Sequence, residues 1–403
     1  MRVLLSTIGS RGDVQPLVAL ALQLKALGQD VRLCVPPDFR EWIEGLGFPV
    51  TPIGPELRKL TASSAPPAAP PTPAQIRAMI EGTVAAQFET VMAAAQGCEA
   101  LVAATALQIA ARSVAERLRI AYRFVAYCPT VLPSPHHPPI VLRMRGQQPA
   151  PPTADNQQLW AQDAKRWNDD WGAILNARRQ ALGLAPVGDV RGHIFGDRPW
   201  LAAEPALAPW PDANDPAVFQ TGAWLVPDDR PLAPELDAFL ASGEPPVYFG
   251  FGSLRAPAEV SRVMIQSARA VGRRAIVSRG WADLALPDDA PDCLAIGEVN
   301  QQQLFRRVAA VVHHGGAGTT TAAALCGAPQ VVVPQMYDQP YWARRVGELG
   351  IGIAHPLSAP TGESLTAALV AALQPAVAAR ARELAATVRT DGAALAARRV
   401  IDG

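Results

Sequence analysis

Arg2-Val-Leu-Leu-Ser-Thr-Ile8, followed by Gly9-Ser10-Arg11-Gly12-Asp13-Val14-Gln15-Pro16, decides the fold. A short apolar run gives way to a glycine turn, and Val14, Leu17, Val18, Ala21, Leu24 and Leu27 then recur at helical spacing. This predicts a buried strand over 2–8 and a helix over 13–27, with Gly28 as its C-terminal cap. Further along, 31–35 reads as a second strand, 39–46 as a helix and 50–53 as a third strand. Strands alternating with helices imply a parallel sheet with helices on both faces.

The same pattern restarts in the second half. Residues 246–252 read as strand and turn, 258–271 as helix and 274–278 as strand. Then come a strand at 293–296, a helix at 301–307, a strand at 308–312, a helix at 319–326 and a strand at 330–334. The tail reads as helical over 365–373, 376–388 and 390–400. The fold class expected is α/β, with two Rossmann-like parallel-sheet domains facing a cleft and ligands at the carboxyl ends of the strands. A chain of 403 residues suits two domains. We expect an N-terminal domain over 1–205, a linker over 206–234 in the proline cluster, a C-terminal domain over 235–385 and a last helix at 386–403 packing back on the first domain. Two more proline-rich stretches, 62–74 and 129–152, read as surface loops because proline lacks a backbone donor and restricts its neighbours.

Composition excludes several classes of function. Thirty-six basic and 36 acidic residues cancel, so no global field draws the chain to nucleic acid or an anionic membrane. No apolar run reaches the length of a membrane span, and the opening residues turn polar too soon for a secretory signal. A cytoplasmic monomer or weak oligomer is therefore expected. Cys34, Cys98, Cys128, Cys293 and Cys326 are scattered and never form a CxxC pair, which fits neither a disulfide framework nor a zinc site.

The strongest chemical signal is His313-His314-Gly315-Gly316-Ala317-Gly318-Thr319-Thr320, between an apolar strand and a helix. Glycines there admit a ligand close to the backbone, and the N–H groups and dipole of the helix start attract an anion. A phosphate or pyrophosphate is the expected occupant, against a tight turn with no ligand. No GxxxxGK[ST] is present, and Gly250-Phe-Gly252-Ser-Leu-Arg lacks the third glycine of a dinucleotide fingerprint. Downstream, Asp338 and Gln339 precede Pro340 at a strand's end, where an Asp-Gln pair can hold neighbouring sugar hydroxyls; Asp338 as a helix cap is the alternative. Asp13 stands at the first turn of the first helix, where a carboxylate is favoured in its ionised form, either as a general base or as a cap. Trp160, Trp167 and Trp171 share one helical face and read as core packing; His136 and His137 are expected to be solvated in the second proline loop.

Residues 9–16, 313–320 and 338–342, in this order and separation, resemble the GT-B glycosyltransferases of secondary metabolism, and within them the glycopeptide-antibiotic type acting on vancomycin- and teicoplanin-like compounds. The resemblance extends over 17–37, 328–335, 351–355 and 389–392, and is thinnest from about 60 to 200. It implies an inverting, metal-independent transfer of a sugar from a TDP- or UDP-sugar co-substrate to a hydroxyl of a natural-product aglycone, with no further cofactor. It implies Asp13 as the base that deprotonates the acceptor, with Ser10, Arg11, His136 and His137 near the acceptor cleft. Ser253, His314, Gly316, Gly318 and Thr319 would cradle the pyrophosphate, and Asp338 and Gln339 would hold the sugar. Val299 lies where the family holds the nucleotide base, with Trp281 or Arg279 beside it in place of the tryptophan that plant members stack there. Other readings stay open: a macrolide, polyketide, sterol or lipid acceptor, a sugar-nucleotide epimerase, or a non-catalytic nucleotide-sugar binder.

Overall fold

The structure is a computed structural model and describes residues 1–62, 72–105, 107–140, 154–212, 215, 217–252, 258–281, 286, 288 and 290–403. Most of the 62–74 stretch and half of the 129–152 stretch expected as loops thus lie outside the described residues. The chain divides into two compact units: 1–203 with 209–226 and 390–403, and 204–208 with 227–389.

In the first unit the strands are β1 Arg2–Thr7, β2 Asp30–Val35, β3 Val50–Pro52, β4 Ala100–Ala104, β5 Ala121–Ala126, β6 Trp200–Leu201 and β7 Phe219–Gln220. They form one sheet in the order β3-β2-β1-β4-β5-β6-β7, and every pairing is parallel. Val3, Leu4 and Leu5 of β1 have no exposed surface, as a strand covered on both faces requires. Its helices are α1 Arg11–Ala26, α2 Arg40–Gly45, α3 Leu57–Ala62, α4 Pro73–Ala94, α5 Ala111–Leu118, α6 Asn156–Ala181 and α7 Val190–Phe195. Helix α1 ends as expected: Gly28 takes φ +76° and the Gln29 N–H returns to the Leu24 carbonyl at 3.0 Å. Trp160 and Trp167 of α6 are buried in this unit, and the Trp167 ring lies 6.4 Å from that of Trp171.

The second unit carries β8 Val247–Gly250, β9 Ala275–Ser278, β10 Cys293–Ile296, β11 Ala310–His313, β12 Gln330–Val332 and β13 Gly352–Ala354, in the parallel order β10-β9-β8-β11-β12-β13. Around it lie α8 Pro234–Ala241, α9 Ala258–Ala270, α10 Gln301–Leu304, α11 Ala317–Leu325, α12 Gln339–Glu348, α13 Gly362–Ala372 and α14 Pro375–Ala385. The twofold period of the strands sorts its core: Val247, Phe249, Val277 and Val312 pack on one face with Leu365 and Leu369, and Tyr248, Ile276 and Val311 on the other with Leu304 and Phe305.

The segment 206–234 does more than connect. Residues 219–220 form β7 at the edge of the first sheet, while 204–208 group with the second unit, where Arg345 Nε donates to the Leu207 carbonyl at 2.8 Å. The last helix, α15 Gly392–Asp402, packs against α1 in the first unit. Its first residue must be small, because a Cβ at Gly392 would stand 2.6 Å from the Ala223 carbonyl. Among the described residues no single helix is long and apolar enough to cross a membrane.

Candidate functional site

Parallel sheets bind ligands where the strand order reverses, beyond the carboxyl ends of the two flanking strands. In the first unit that point lies between β1 and β4. The turn after β1 is Ile8 to Ser10, and the Thr105 hydroxyl after β4 donates to the Ile8 carbonyl at 3.4 Å. Ser10 caps α1 from an extended conformation, φ −77° and ψ −173°. The Asp13 carboxylate folds back over it, Oδ2 accepting the Ser10 N–H at 2.6 Å and the Ser10 hydroxyl at 3.3 Å. The Tyr127 hydroxyl, just past β5, donates to the Asp13 carbonyl at 3.1 Å. Burial, and then the charge of Asp13, hold that phenol well above its ordinary range, so it remains a neutral donor. Asp13 therefore closes a capping box, the cap expected of it, and its half-buried carboxylate lies at the switch point.

The other residues expected near the acceptor are used differently. The Arg11 guanidinium lies 4.7 Å over the Trp42 ring, and its Nε donates to Gln15 at 3.1 Å. His136 is exposed, as expected. His137 is not solvated but 6 % exposed, its ring edge-on to Trp160 at 6.0 Å and Trp210 at 5.9 Å. Its carbonyl also accepts the Trp160 indole N–H at 2.8 Å. Two tryptophans far off in sequence make it a packing residue.

In the second unit the order reverses between β8 and β11, so Phe251-Gly252 and His314 to Gly318 flank the switch point. The His314 ring sits between two glycines: a Cβ at Gly252 would lie 3.0 Å from its Cε1, and one at Gly316 2.7 Å from its Nε2. These glycines make room for an imidazole. Gly315 takes φ +93°, and a Cβ there would meet Val332 at 2.8 Å and the Gln339 carbonyl at 3.1 Å, so the turn lies against the 334–339 segment after β12. Gly316 caps α11 without a side-chain bond, and the first intrahelical donor is the Thr320 N–H, bonded to the Gly316 carbonyl at 2.9 Å. The N–H groups of Ala317, Gly318 and Thr319 precede it in the first turn, which makes a helix start suited to an anion.

His313, the first of the doublet, is a scaffold residue. It has no exposed surface; its Nδ1 accepts the Gly315 N–H at 3.1 Å and its Nε2 faces Gln330 Oε1 at 2.9 Å. Gln330 in turn donates to the Thr320 carbonyl at 3.3 Å, so two buried side chains brace the turn from behind. The twofold alternation of β11 is the sequence signal for that inward orientation.

Asp338 does not cap α12 with its side chain. Its Oδ2 accepts the Trp342 indole N–H at 2.9 Å, and burial raises its pKa against the lowering effect of that bond. Gln339 is 5 % exposed and spends Oε1 on the backbone N–H groups of Gln335 at 2.7 Å and Met336 at 3.1 Å, leaving donation from Nε2 as the contact a sugar would find. On the other side of Gly252, the Trp281 N–H donates to the Gly252 carbonyl at 3.0 Å and the Arg279 N–H to the Ile296 carbonyl at 2.9 Å. Val299 packs on the core beside Asn300, whose side chain holds the carbonyls of Asp228 and Arg230 at 2.6 and 3.0 Å. The second unit thus places Gly252, Trp281, His314, Gly316, Asp338 and Gln339 beyond the carboxyl ends of β8, β9, β11 and β12; Ser253 lies outside the described residues. Asp288, Asp292 and Cys293 are the one close group of potential metal ligands among the described residues, and Arg269 bonds both carboxylates.

Burial keeps three histidines neutral. It lowers His313 to about 3 and His314 to about 4; His193, between Ser113 at 3.0 Å and Arg179 at 3.3 Å, falls to about 4 through burial and then the Arg179 charge. Above about pH 6.5 these rings are neutral in folded and unfolded chains alike and add no pH dependence. Between about 6.5 and 4 the unfolded chain takes up protons that the folded one refuses, so stability falls as pH falls. The Tm should be flat from about pH 8 to 7 and drop steadily toward about pH 4.5. A Tm that rises on acidification over this range would contradict the neutral assignment.

Two family models match the chain: the glycosyltransferase family 28 N-terminal domain over residues 3–133, and the erythromycin biosynthesis protein CIII-like C-terminal domain over 273–397. The chain is 52% identical over 404 residues to the vancomycin aglycone glucosyltransferase of Amycolatopsis orientalis, covering 100% of this chain and 97% of that protein. It is 43% identical over 389 residues to the dTDP-epi-vancosaminyltransferase of the same organism, covering 94% and 92%. Among solved structures, the glycotransferase of kitacinnamycin superposes with a TM-score of 0.73 at 20% identity, over 100% of this chain and 98% of that one.

Proposed function

The chain belongs to the GT-B glycosyltransferases of antibiotic biosynthesis, and on that premise we propose that it moves a sugar from a TDP- or UDP-sugar to a hydroxyl of a glycopeptide aglycone. The acceptor reading draws on the relative that acts on vancomycin aglycone, and the thymidine reading on the relative named for a dTDP-sugar. The observation that carries the chemistry is the division of labour between the two switch points: a seated carboxylate at one, and a neutral imidazole beside an uncapped helix start at the other.

Asp13 accepts the proton of the acceptor hydroxyl as its oxygen attacks the anomeric carbon. The nucleoside diphosphate leaves from the opposite face and the configuration inverts. Charge developing on the β-phosphate is met by the N–H groups of Gly318 and Thr319, by His314 in the space Gly316 opens, and by Ser253, without a metal ion. Asp338 and Gln339 hold sugar hydroxyls, and Val299, Trp281 and Arg279 border the base. On this reading the acceptor belongs to the first unit, with Ser10 and Arg11 beside it, and the donor to the second. The protein works in the cytoplasm as a monomer or weak oligomer.

The test is turnover by the purified protein of TDP- and UDP-glucose with glycopeptide, macrolide and sterol acceptors, followed by mass spectrometry in EDTA. We expect a glycosylated glycopeptide. Product with the macrolide or sterol alone would replace the acceptor assignment, and no product with any acceptor would overturn the reading.

A further inference from the structure

We propose that Gly9 is a positioning residue of the transfer reaction, because only a residue without a Cβ lets the Asp13 carboxylate lie on the Ser10 N–H. This rests on the reading of Asp13 as the base. A Cβ at position 9 would stand 2.2 Å from Asp13 Oδ2, 2.4 Å from Cγ and 2.9 Å from Cβ. Turning the carboxylate away removes the first two overlaps. It does not remove the third, because the Asp13 Cβ is carried by the backbone of α1. The requirement is one of space and not of backbone conformation: Gly9 is absent from the glycines of positive φ, unlike Gly28, Gly47 and Gly54 in the same unit.

The consequence for the reaction follows from the bond the carboxylate makes. Its Oδ2 takes the Ser10 N–H at 2.6 Å, one of the donors a helix start leaves without a helical partner. That bond and the bare Gly9 face fix the direction in which the carboxylate meets an acceptor. A side chain at position 9 pushes the carboxylate off this seat, and a displacement of about 1 Å at a reacting group costs about 10²-fold in rate.

The test is a double-mutant cycle of Gly9→Ala and Asp13→Ala, read by kcat, donor KM and Tm. Gly9→Ala should lower kcat about 10- to 100-fold and leave the donor KM unchanged. It should also lower the Tm; in the Asp13→Ala background the kcat effect should shrink sharply and the Tm effect in part, because alanine removes the two carboxylate overlaps and keeps the one at Cβ. Ser10→Pro covers the case in which Gly9→Ala does not fold. It removes the N–H and hydroxyl from Oδ2, and the Ser10 φ of −77° suits proline. This variant should lose kcat and move the acid limb of its pH profile upward, since a bond favouring the ionised carboxylate is gone. Wild-type kcat in Gly9→Ala, an equal loss in both backgrounds, or an unmoved acid limb in Ser10→Pro would overturn the proposal. Full turnover by Asp13→Ala alone would instead remove the base reading, and the Tm cycle would still report whether Gly9 seats the carboxylate.

Discussion

Asp13→Ala should lower kcat by about 10²- to 10⁴-fold, the range of general-base catalysis, while the affinity for TDP stays at the wild-type value. The two readouts separate because the carboxylate sits in the first unit, on the Ser10 N–H, and the turn proposed to hold the diphosphate sits in the second. Asp13 also closes the capping box of α1, so alanine lowers stability as well as activity. Asp13→Asn distinguishes the two effects. Its amide oxygen can still accept the Ser10 N–H and preserve the Tm, but it cannot take a proton from a hydroxyl. The asparagine variant should be folded, bind TDP and be nearly inactive; wild-type turnover by it would remove Asp13 from the chemistry.

His314→Ala should lower kcat/KM for the donor by about 10²- to 10³-fold, as expected when one preorganised donor to a developing oxyanion is deleted. Burial holds the ring near 4, so at neutral pH it enters the reaction as an uncharged hydrogen-bond donor and carries no standing charge that would bind every anion alike. Its place between Gly252 and Gly316 also means that alanine leaves a gap beside the helix start that water can fill. The aglycone KM should not move. His314→Asn, which keeps an N–H, should recover part of the loss. A variant with unchanged donor kinetics would show that the helix N–H groups meet the phosphate charge by themselves.

What the sequence made legible was whatever local pattern encodes. The apolar runs at 2–8 and 308–312 marked strands, the glycine turns after them marked a turn into a helix and a candidate anion site, and the helical spacing from Val14 to Leu27 marked α1. Two of the departures depend on contacts between residues far apart in the chain, and two on local geometry. His137 looked solvated among prolines until Trp160 and Trp210 enclosed it. The stretch 206–234 looked like a linker because prolines dominate it, yet two of its residues complete a sheet whose neighbouring strand lies at 200–201. His313 and His314 are adjacent and chemically identical, and their places separate them: His313 ends β11 against Gln330, and His314, past the strand, lies between Gly252 and Gly316. Gly9 read as an ordinary turn glycine, because the atom that excludes a side chain there belongs to Asp13 one helical turn later.

The most direct test of the account is the anomeric configuration of the product formed from an α-linked TDP-sugar, read by proton NMR of the isolated glycoside. A single displacement driven by Asp13, with the diphosphate leaving from the opposite face, predicts a β-linked product. An α-linked product would mean that the sugar passes through a second displacement or a front-face transfer, and would contradict the role given to the carboxylate seated on Ser10.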